Sequence, residues 1–527
     1  MTLSSWKYFI FLPLVLLIYA ACPKRARFYV LLLASYCFLW LASGKLLVYV
    51  LISTLVAYGC ARGIARNKAR VTAAGPHAPE ETRARRAAAK RTQHAIMLAA
   101  VLVELGLLVV LKYGGMLAQT LDAARAALGL PQLFGQATSL AMPLGISFYT
   151  LMCIGYVVDV YRGKYAATDN LTLFATFVAF FPHLTEGPFS SFEQLAPQIK
   201  AGNLARHERF AYASELILWG LIKKMVIADR LNPLVSAVYD TTSYQGIVIV
   251  LGVFLYTVQL YADFSGVIDI ARGTSELFGI TLKTNFAQPF FSHSINEFWR
   301  RWHISLGSWL KEYVFFPVSL SRVTRKLSLW ARSHLGSFGA RITSTLPALL
   351  AVWSACGIWH GASWKYLLYG LYYFALVLVG MLLEPAFARL AAAFKQDRGA
   401  AVWRHAAQVR TCILVGVGMM LFRADSLTSF AQLLAATWQG AGIDAITTGE
   451  LFSHGADALD LAVALVGTAA LFAFDLYQVK KGSVRELVVT HGTARRWAFG
   501  LALLAVLLVF GAYGAGYTPV ASIYAGF

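Results

Sequence analysis

Apolar runs long enough, or nearly long enough, to cross a lipid bilayer recur from one end of this 527-residue chain to the other. Some reach the required length, about 20 residues, only with their flanks, and together they give roughly 11 candidate spans. With 58% apolar and 14% charged residues, the chain is predicted to be an all-α polytopic membrane protein. The runs are Tyr8–Ala21, Phe28–Ala42, Leu46–Cys60, Ala95–Leu111, Pro143–Val160, Gly246–Tyr261, Leu346–Trp359, Tyr366–Leu383, Thr411–Phe422, Leu459–Leu476 and Trp497–Tyr517.

Basic residues between the runs predict the topology, because positive loops stay on the cytoplasmic side. Residues 62–94 hold nine Lys and Arg residues against two acidic ones, and we expect a cytoplasmic loop there. If three helices precede it, the N-terminus lies outside. The basic segments 322–341 and 480–496 are further cytoplasmic candidates. Nucleic-acid binding is not expected from the net charge of +20, since no nucleic-acid-reading module accompanies it.

Cysteine usage and the first apolar run add two expectations. The six cysteines are scattered, without a C-x-x-C pair or metal-finger spacing, so neither a disulfide framework nor a metal site is predicted. No convincing small-residue cleavage site follows the first run, and further spans come immediately after it. We therefore expect a retained helix instead of a removed signal peptide.

The stretch 285–317 brings charge into this apolar chain. A charged residue at the centre of a membrane helix costs roughly 2.5 to 3.5 kcal/mol on insertion scales, so such a cluster indicates a functional site. If residues 294–310 form one helix, Asn296, Arg300 and His303 share a face, and packing aromatics take another. Glu297 and Arg301, four residues apart, are expected to neutralise each other.

A second polar helix is predicted just before that stretch. Gln259 and Asp263, four residues apart, lie on one face of a helix over residues 256–280. Asp269, Arg272 and Glu276 are spaced to pair along the same helix, which favours internal neutralisation for these three residues.

His360 ends an apolar run in the sequence GIWHGASW. Gly357 and Gly361 allow another helix to approach closely there. A lone histidine on an apolar face is usually a packed core residue, but two histidines in tryptophan-flanked settings favour function. A neutral imidazole can take a proton from a hydroxyl group. Cys356, one turn earlier, is an alternative thioester nucleophile, although a cysteine in an apolar helix is normally inert.

Several segments, in this order and spacing, resemble the bacterial membrane-bound O-acyltransferase family. They are PLGISFYT, DVYRG, FFPHLTEGPF, YADFSGVIDIARG, NFAQPFFSHSINEFWRRWHISLGSWLKEYVFFP, GIWHGASW and LFRADSL. The resemblance is strongest to the branch of alginate and peptidoglycan O-acetyltransferases and the D-alanyl transferase of teichoic acids. It runs from near the N-terminus to the terminal YTPVASIYAGF.

The resemblance implies a helical bundle around a central funnel, with tilted or re-entrant short helices. The whole chain is then expected to form a single acyltransferase domain, with N-terminal scaffold helices in residues 1–112, the catalytic core in 141–383 and C-terminal helices in 384–527. The resemblance assigns catalysis to His360 and His303. It assigns substrate binding or positioning to Asn296, Trp299, Arg300, Trp359, Asp263 and Gln259. Where relatives often carry His-Gly this chain has Tyr373 and Phe374, and Glu186 replaces a commoner small residue.

The expected function is transfer of an acyl group, acetyl in the leading interpretation, across the bacterial cytoplasmic membrane. The donor is a cytoplasmic thioester, acetyl-CoA or an acyl-carrier protein, and no bound cofactor is expected. The acceptor is an extracytoplasmic polysaccharide hydroxyl or a partner O-acetyltransferase, with membrane lipid as the surroundings. D-alanyl transfer to teichoic acid is the alternative within the family. A transporter or flippase, whose His, Asp and Arg residues line a substrate path, is the alternative from another class.

Overall fold

A computed structural model describes residues 1–73, 79–134, 141–241, 244–394, 400–450, 452, 457–490, 492–514 and 520–523. The regular secondary structure of these residues is helical, with no strand among them. The helices are α1 Trp6–Ala21, α2 Arg27–Ser43, α3 Leu47–Ala73, α4 Pro79–Leu108, α5 Gly114–Ala127, α6 Ile146–Arg162, α7 Leu171–Ala179, α8 Phe181–Leu184, α9 Phe192–Ala201, α10 His207–Ile222, α11 Asp229–Asp240, α12 Ile247–Leu277, α13 Ile295–Arg301, α14 Ile304–Leu310, α15 Phe316–Ser319, α16 Arg322–His360, α17 Trp364–Ala393, α18 Ala401–Arg423, α19 Leu427–Ala436, α20 Asp444–Thr447, α21 Ala458–Lys481, α22 Val484–Thr490 and α23 Thr493–Phe510.

The chain divides into two compact units. The first consists of Met1–Ser214 and Ala271–Lys283, and the second of Glu215–Ile270 and Thr284–Gly526. All of the residues to which the sequence analysis assigned a catalytic or positioning role belong to the second unit.

Eight helical segments among the described residues are long and apolar enough to cross a membrane. They are Arg27–Ala73, Arg83–Ala127, Ile247–Leu277, Arg322–His360, Trp364–Ala393, Ala401–Arg423, Ala458–Lys481 and Thr493–Phe510. This is fewer than the apolar runs suggest. Helices α1 and α6 have only 16 and 17 residues, and α2 and α3 are joined by a single 3₁₀ turn into one apolar segment.

The predicted loop over residues 62–94 is wrong. Helix α3 continues to Ala73 and α4 begins at Pro79, so most of these basic residues lie on the ends of two helices. The segment 322–341 is also helical, as the first part of α16, apart from a break at Gly336. Arginine and lysine favour helices, so a run of basic residues does not by itself end one.

The prediction of one helix over residues 294–310 is also wrong. Helix α13 ends at Arg301 and α14 begins at Ile304, with Trp302 extended and His303 in the left-handed region between them. Asn296, Arg300 and His303 therefore do not share a helical face. The Glu297–Arg301 pair does form within α13, at 2.6 Å.

Helices α16 and α17 form an antiparallel pair that approaches very closely at its glycines. A Cβ atom on Gly357 would meet the carbonyl oxygen of Tyr366, and one on Gly370 would meet that of Trp353. The close approach predicted from Gly357 is confirmed, and Gly370 supplies its counterpart on α17. This contact places the C-terminal turn of α16, which carries His360, against α17.

Candidate active site

His303 lies in a turn that the preceding segment holds in place. The backbone carbonyl of Asn285 accepts the N–H of Ile304 at 3.0 Å, and the carbonyl of Arg301 accepts the N–H of Ala287 at 2.9 Å. His303 itself has φ 48° and ψ 49°. This conformation is uncommon for a residue with a side chain, and it persists where the surrounding structure determines it.

The side chain of Asn285 makes two further contacts with the same turn. Its Oδ1 accepts the backbone N–H of Ser305 at 2.9 Å, and its Nδ2 lies 3.2 Å from Nδ1 of His303. Both side chains are buried, with Asn285 only 1% and His303 only 2% exposed. Sequence reasoning missed Asn285, because no helical or strand periodicity links it to a residue 18 positions later.

Aromatic rings surround the imidazole of His303. Phe264 on α12 meets it edge to face with ring centroids 4.9 Å apart, and Trp359 on α16 does so at 5.5 Å. Burial lowers the pKa of His303 to about 3, because desolvation disfavours the imidazolium form. His303 is therefore neutral at physiological pH.

His360 occupies the last position of α16 and is also buried, at 1% exposure. Its ring contacts Tyr369 on α17 at a centroid distance of 5.7 Å and Phe422 on α18 at 5.2 Å. Its Nε2 lies 3.9 Å from the sulfur of Cys356, one turn earlier. Three helices therefore determine the position of this ring.

The indole of Trp359 links the two histidines. Its ring centroid lies 5.5 Å from that of His303 and 5.1 Å from that of His360. Residues that are 57 positions apart in the sequence thus line the same aromatic wall. The structure brings together His303, His360 and Trp359 from the predicted set.

Trp299 borders this wall from α13. Its ring packs edge to face on Trp353 at 5.0 Å and on Tyr373 at 4.8 Å. Tyr373 is fully buried and packs beside Trp299.

Asn296 and Arg300 are exposed on α13, whereas His303 is buried. Asn296 lines a groove of about 1190 Å³ together with residues of α17 and α18, including Val377, Met381 and Leu414. The prediction that Asn296 shares a site face with His303 is therefore not supported, and the amide beside the imidazole belongs to Asn285.

Gln259 and Asp263 make contacts that hold the fold together. Gln259 donates from Nε2 to Oδ1 of Asn232 at 3.0 Å. Asp263 pairs with Lys224 at 3.0 Å and accepts the backbone N–H of Ile523 at 2.7 Å. Both residues are buried, and α12 reaches His303 through Phe264, the residue after Asp263.

Two lysines near α12 were not anticipated from the sequence. Lys224 pairs with Asp229 at 2.6 Å as well as with Asp263. Lys223 pairs with Asp269 at 2.7 Å, so the neutralisation of Asp269 expected within α12 includes a partner from the segment before α11. Among the described residues, no group of three or more His, Cys, Asp or Glu side chains is placed to hold a metal ion.

Helices that can cross a membrane and two buried histidines on one indole define a polytopic membrane protein with a histidine site. The model of the membrane-bound O-acyltransferase family matches residues 168–422, a range that includes both histidines. The chain is 34% identical over 435 residues to a probable alginate O-acetylase of Azotobacter vinelandii, covering 81% of this chain and 76% of that protein. This chain belongs to the membrane-bound O-acyltransferase family.

More distant relatives are named for other activities. A peptidoglycan O-acetyltransferase of Helicobacter pylori is 32% identical over 259 residues, which cover 44% of this chain and 46% of that protein. A teichoic acid D-alanyltransferase of Bacillus subtilis is 27% identical over 237 residues, covering 44% and 58% respectively. The predicted family, the all-helical membrane fold and the assignment as an O-acyltransferase enzyme are confirmed.

Proposed function

We propose that this enzyme takes an acetyl group from a cytoplasmic thioester and delivers it to an extracytoplasmic hydroxyl group. The observation that carries the proposal is the placement of His303 and His360 against the single indole of Trp359. The names of the relatives, alginate O-acetylase and peptidoglycan O-acetyltransferase, support acetyl as the acyl group and a surface polysaccharide as the acceptor.

The donor in this proposal is acetyl-CoA or an acyl-carrier protein, and the acceptor is a polysaccharide or a partner O-acetyltransferase. The location that suits this reaction is the bacterial cytoplasmic membrane, with the N-terminus outside. The basic ends of α3 and α4 would then face the cytoplasm, as the positive-inside rule favours.

In the reaction, His360 acts as the general base. It takes the proton of the acceptor hydroxyl while the hydroxyl oxygen attacks the thioester carbonyl carbon. The C–O bond forms, the tetrahedral intermediate collapses, and the C–S bond breaks. The thiolate leaves and takes the proton that His360 accepted, so that the free thiol, the acyl ester and neutral His360 are the products.

His303 stabilises the negative charge that develops on the carbonyl oxygen. A preorganised hydrogen-bond donor at such a position contributes about 10² to 10³ in rate. The aromatic walls formed by Phe264, Trp359 and Phe422 keep water away from the imidazoles, which strengthens electrostatic interactions inside the site.

The test measures thioester consumption by the purified protein with acetyl-CoA, an acetylated carrier protein and a D-alanylated carrier protein as donors. We expect acetyl donors to be consumed and His360→Ala to lower the rate by at least about 10²-fold, with the fold intact. His334→Ala serves as the matched control, since His334 lies exposed in the first part of α16, before the break at Gly336. Full turnover of His360→Ala would refute the mechanism.

The D-alanylated donor separates the two activities within the family. The relatives named as D-alanyltransferases cover less of this chain than those named as alginate O-acetylases, which favours acetyl. Exclusive consumption of the D-alanylated carrier would instead assign this chain to teichoic acid. Substrate movement without any thioester cleavage would indicate a transporter.

Cys356 offers a covalent route through an acyl-cysteine, since its sulfur lies 3.9 Å from Nε2 of His360. That route needs the thiolate, and Cys356 is buried in an apolar helix where the thiol form is favoured. We therefore expect Cys356→Ser to keep full activity. Loss of activity in this variant, together with a trapped acyl adduct on the wild-type cysteine, would establish the covalent route.

A further inference from the structure

Three hydrogen bonds from one residue determine the geometry of the turn that carries His303. The backbone carbonyl of Asn285 accepts from Ile304, its side-chain oxygen accepts from Ser305, and its side-chain nitrogen faces His303. An asparagine 1% exposed thus contacts three successive residues of a turn 18 to 20 positions further along the chain.

The orientation of the Asn285 amide follows from the chemistry of its partners. The backbone N–H of Ser305 can only donate, so the amide atom 2.9 Å from it must be the oxygen. The other end of the amide is then the NH₂ group, which lies 3.2 Å from Nδ1 of His303. An NH₂ group can only donate, so Nδ1 must present its lone pair.

We propose that Asn285 is a positioning residue that holds His303 in the tautomer with its proton on Nε2. In a neutral imidazole one ring nitrogen donates and the other accepts, so an accepting Nδ1 leaves the proton on Nε2. The inference rests on the proposed function, because it assigns a proton to the imidazole placed there at the thioester carbonyl.

The opposite tautomer fits the geometry less well. It would need Nδ1–H to donate to Oδ1 of Asn285, which lies 3.4 Å away and already accepts from Ser305. It would also bring the N–H of His303 toward the NH₂ group, two donors facing each other. A buried donor left without its acceptor costs about 1 to 3 kcal/mol.

The ring is held against rotation as well. Phe264 and Trp359 pack edge to face on it, and the backbone of His303 is fixed in the left-handed region. Phe264, Trp359 and Asn285 are all uncharged, so none of them forms an ion pair with an imidazolium.

This assignment gives the two histidines different tasks. His303 donates a hydrogen bond through Nε2–H to the carbonyl oxygen and does not act as a base. His360 is then the proton acceptor for the incoming hydroxyl. The two roles need opposite proton states on the nitrogens that meet the reactants, and Asn285 sets the state of one of them.

The decisive variant is Asn285→Asp, which keeps the shape of the side chain and the oxygen that accepts from Ser305. The second oxygen replaces the NH₂ donor, so it attracts a proton to Nδ1 and raises the pKa of His303. Below that pKa the imidazolium still carries Nε2–H. Above it, the neutral ring has its proton on Nδ1 and presents a lone pair at Nε2.

We therefore expect the kcat of Asn285→Asp to fall with rising pH, whereas the kcat of the wild type should not. On the alkaline side, kcat should drop by about 10²-fold or more, while KM changes much less. Asn170→Asp makes the same chemical change at the exposed N-cap of α7 and should leave the pH profile unchanged. A purely structural role of Asn285 would lower activity equally at every pH.

Nitrogen NMR of histidine-labelled wild-type protein tests the tautomer independently of activity. The His303 signals are identified by their loss in His303→Gln, and we expect an unprotonated Nδ1 and a protonated Nε2. A protonated Nδ1 in the wild type would overturn the proposal even if Asn285→Asp fails to fold. If the tautomer is as expected but Asn285→Asp has a wild-type pH profile, the positioning role is refuted. Full activity of His303→Ala, which has no hydrogen-bond donor in its side chain, would instead refute the proposed role of His303.

Discussion

The imidazole of His303 and the indole of Trp359 meet edge to face, with ring centroids 5.5 Å apart. The next residue, His360, packs on the same indole at 5.1 Å. Trp359 is only 5% exposed, so both imidazoles pack on one buried side chain. The indole is flat and has only two side-chain torsion angles. It can therefore hold two imidazoles in place with little freedom of its own to move.

Shortening Trp359 should therefore affect catalysis and stability together. We expect Trp359→Ala to lower kcat by about 10²-fold, since small displacements of catalytic groups have effects of that size. It should also destabilise the fold by about 3 to 5 kcal/mol. Trp359→Phe, which keeps a flat ring, should lose much less of both. Trp330→Ala, at an exposed position of α16, is the control for activity and thermal unfolding in detergent.

Gly370→Ala should destabilise the α16–α17 pair. The added methyl group would meet the carbonyl oxygen of Trp353, and relieving such overpacking costs about 1 to 3 kcal/mol. Gly380→Ala on the same helix is the control, because nothing lies within 4 Å of its added Cβ. Thermal unfolding in detergent should show a lower midpoint for Gly370→Ala only. Equal midpoints would mean that the two helices can separate freely.

We expect Asp263→Asn to destabilise the fold and to leave the affinity for the substrate unchanged. Burial opposes the charge on Lys224, but Asp263 and Asp229 outweigh this effect and raise its pKa. Lys224 keeps Asp229 as a partner at 2.6 Å, so the substitution removes one charge-assisted contact, worth about 1.5 to 3 kcal/mol. We expect low yield and a lower unfolding midpoint, with KM of the surviving protein unchanged. Asp425→Asn, an exposed aspartate near Arg423, should behave as the wild type, and a raised KM in Asp263→Asn would restore its predicted role at the substrate.

The charge on Glu297 should make part of the stability of the fold depend on pH in the acid range. Burial disfavours its charge, but the backbone N–H of His293 and the guanidinium of Arg301 outweigh burial and lower its pKa below 4.5. A lowered folded-state pKa means that this contribution is complete above about 4.5 and is lost as pH falls through the lower folded value. Unfolding midpoints between pH 6 and 3 should therefore fall less in Glu297→Gln than in the wild type. Parallel pH curves for the two proteins would contradict this prediction.

The membrane class and the two histidines could be predicted from the sequence, because both depend on local properties of the chain. Apolar runs near the required length identify helices that lipid accepts, whatever packs against them. His303 and His360 stand out because polar side chains are expensive in such surroundings. The Glu297–Arg301 pair was predictable for a similar reason, since a spacing of four residues brings side chains together on any helix.

What the tertiary structure decided is which polar groups meet. A helical pattern placed Asn296 beside His303, but the break between α13 and α14 separates them. Asn285 takes that place through hydrogen bonds to a turn far along the chain, and no periodicity encodes such a contact. Asp263 likewise depends on Lys224, which comes from a different segment. Sequence fixes the local conformations that the chain favours, whereas the position of a buried polar side chain depends on distant partners that satisfy its hydrogen bonds.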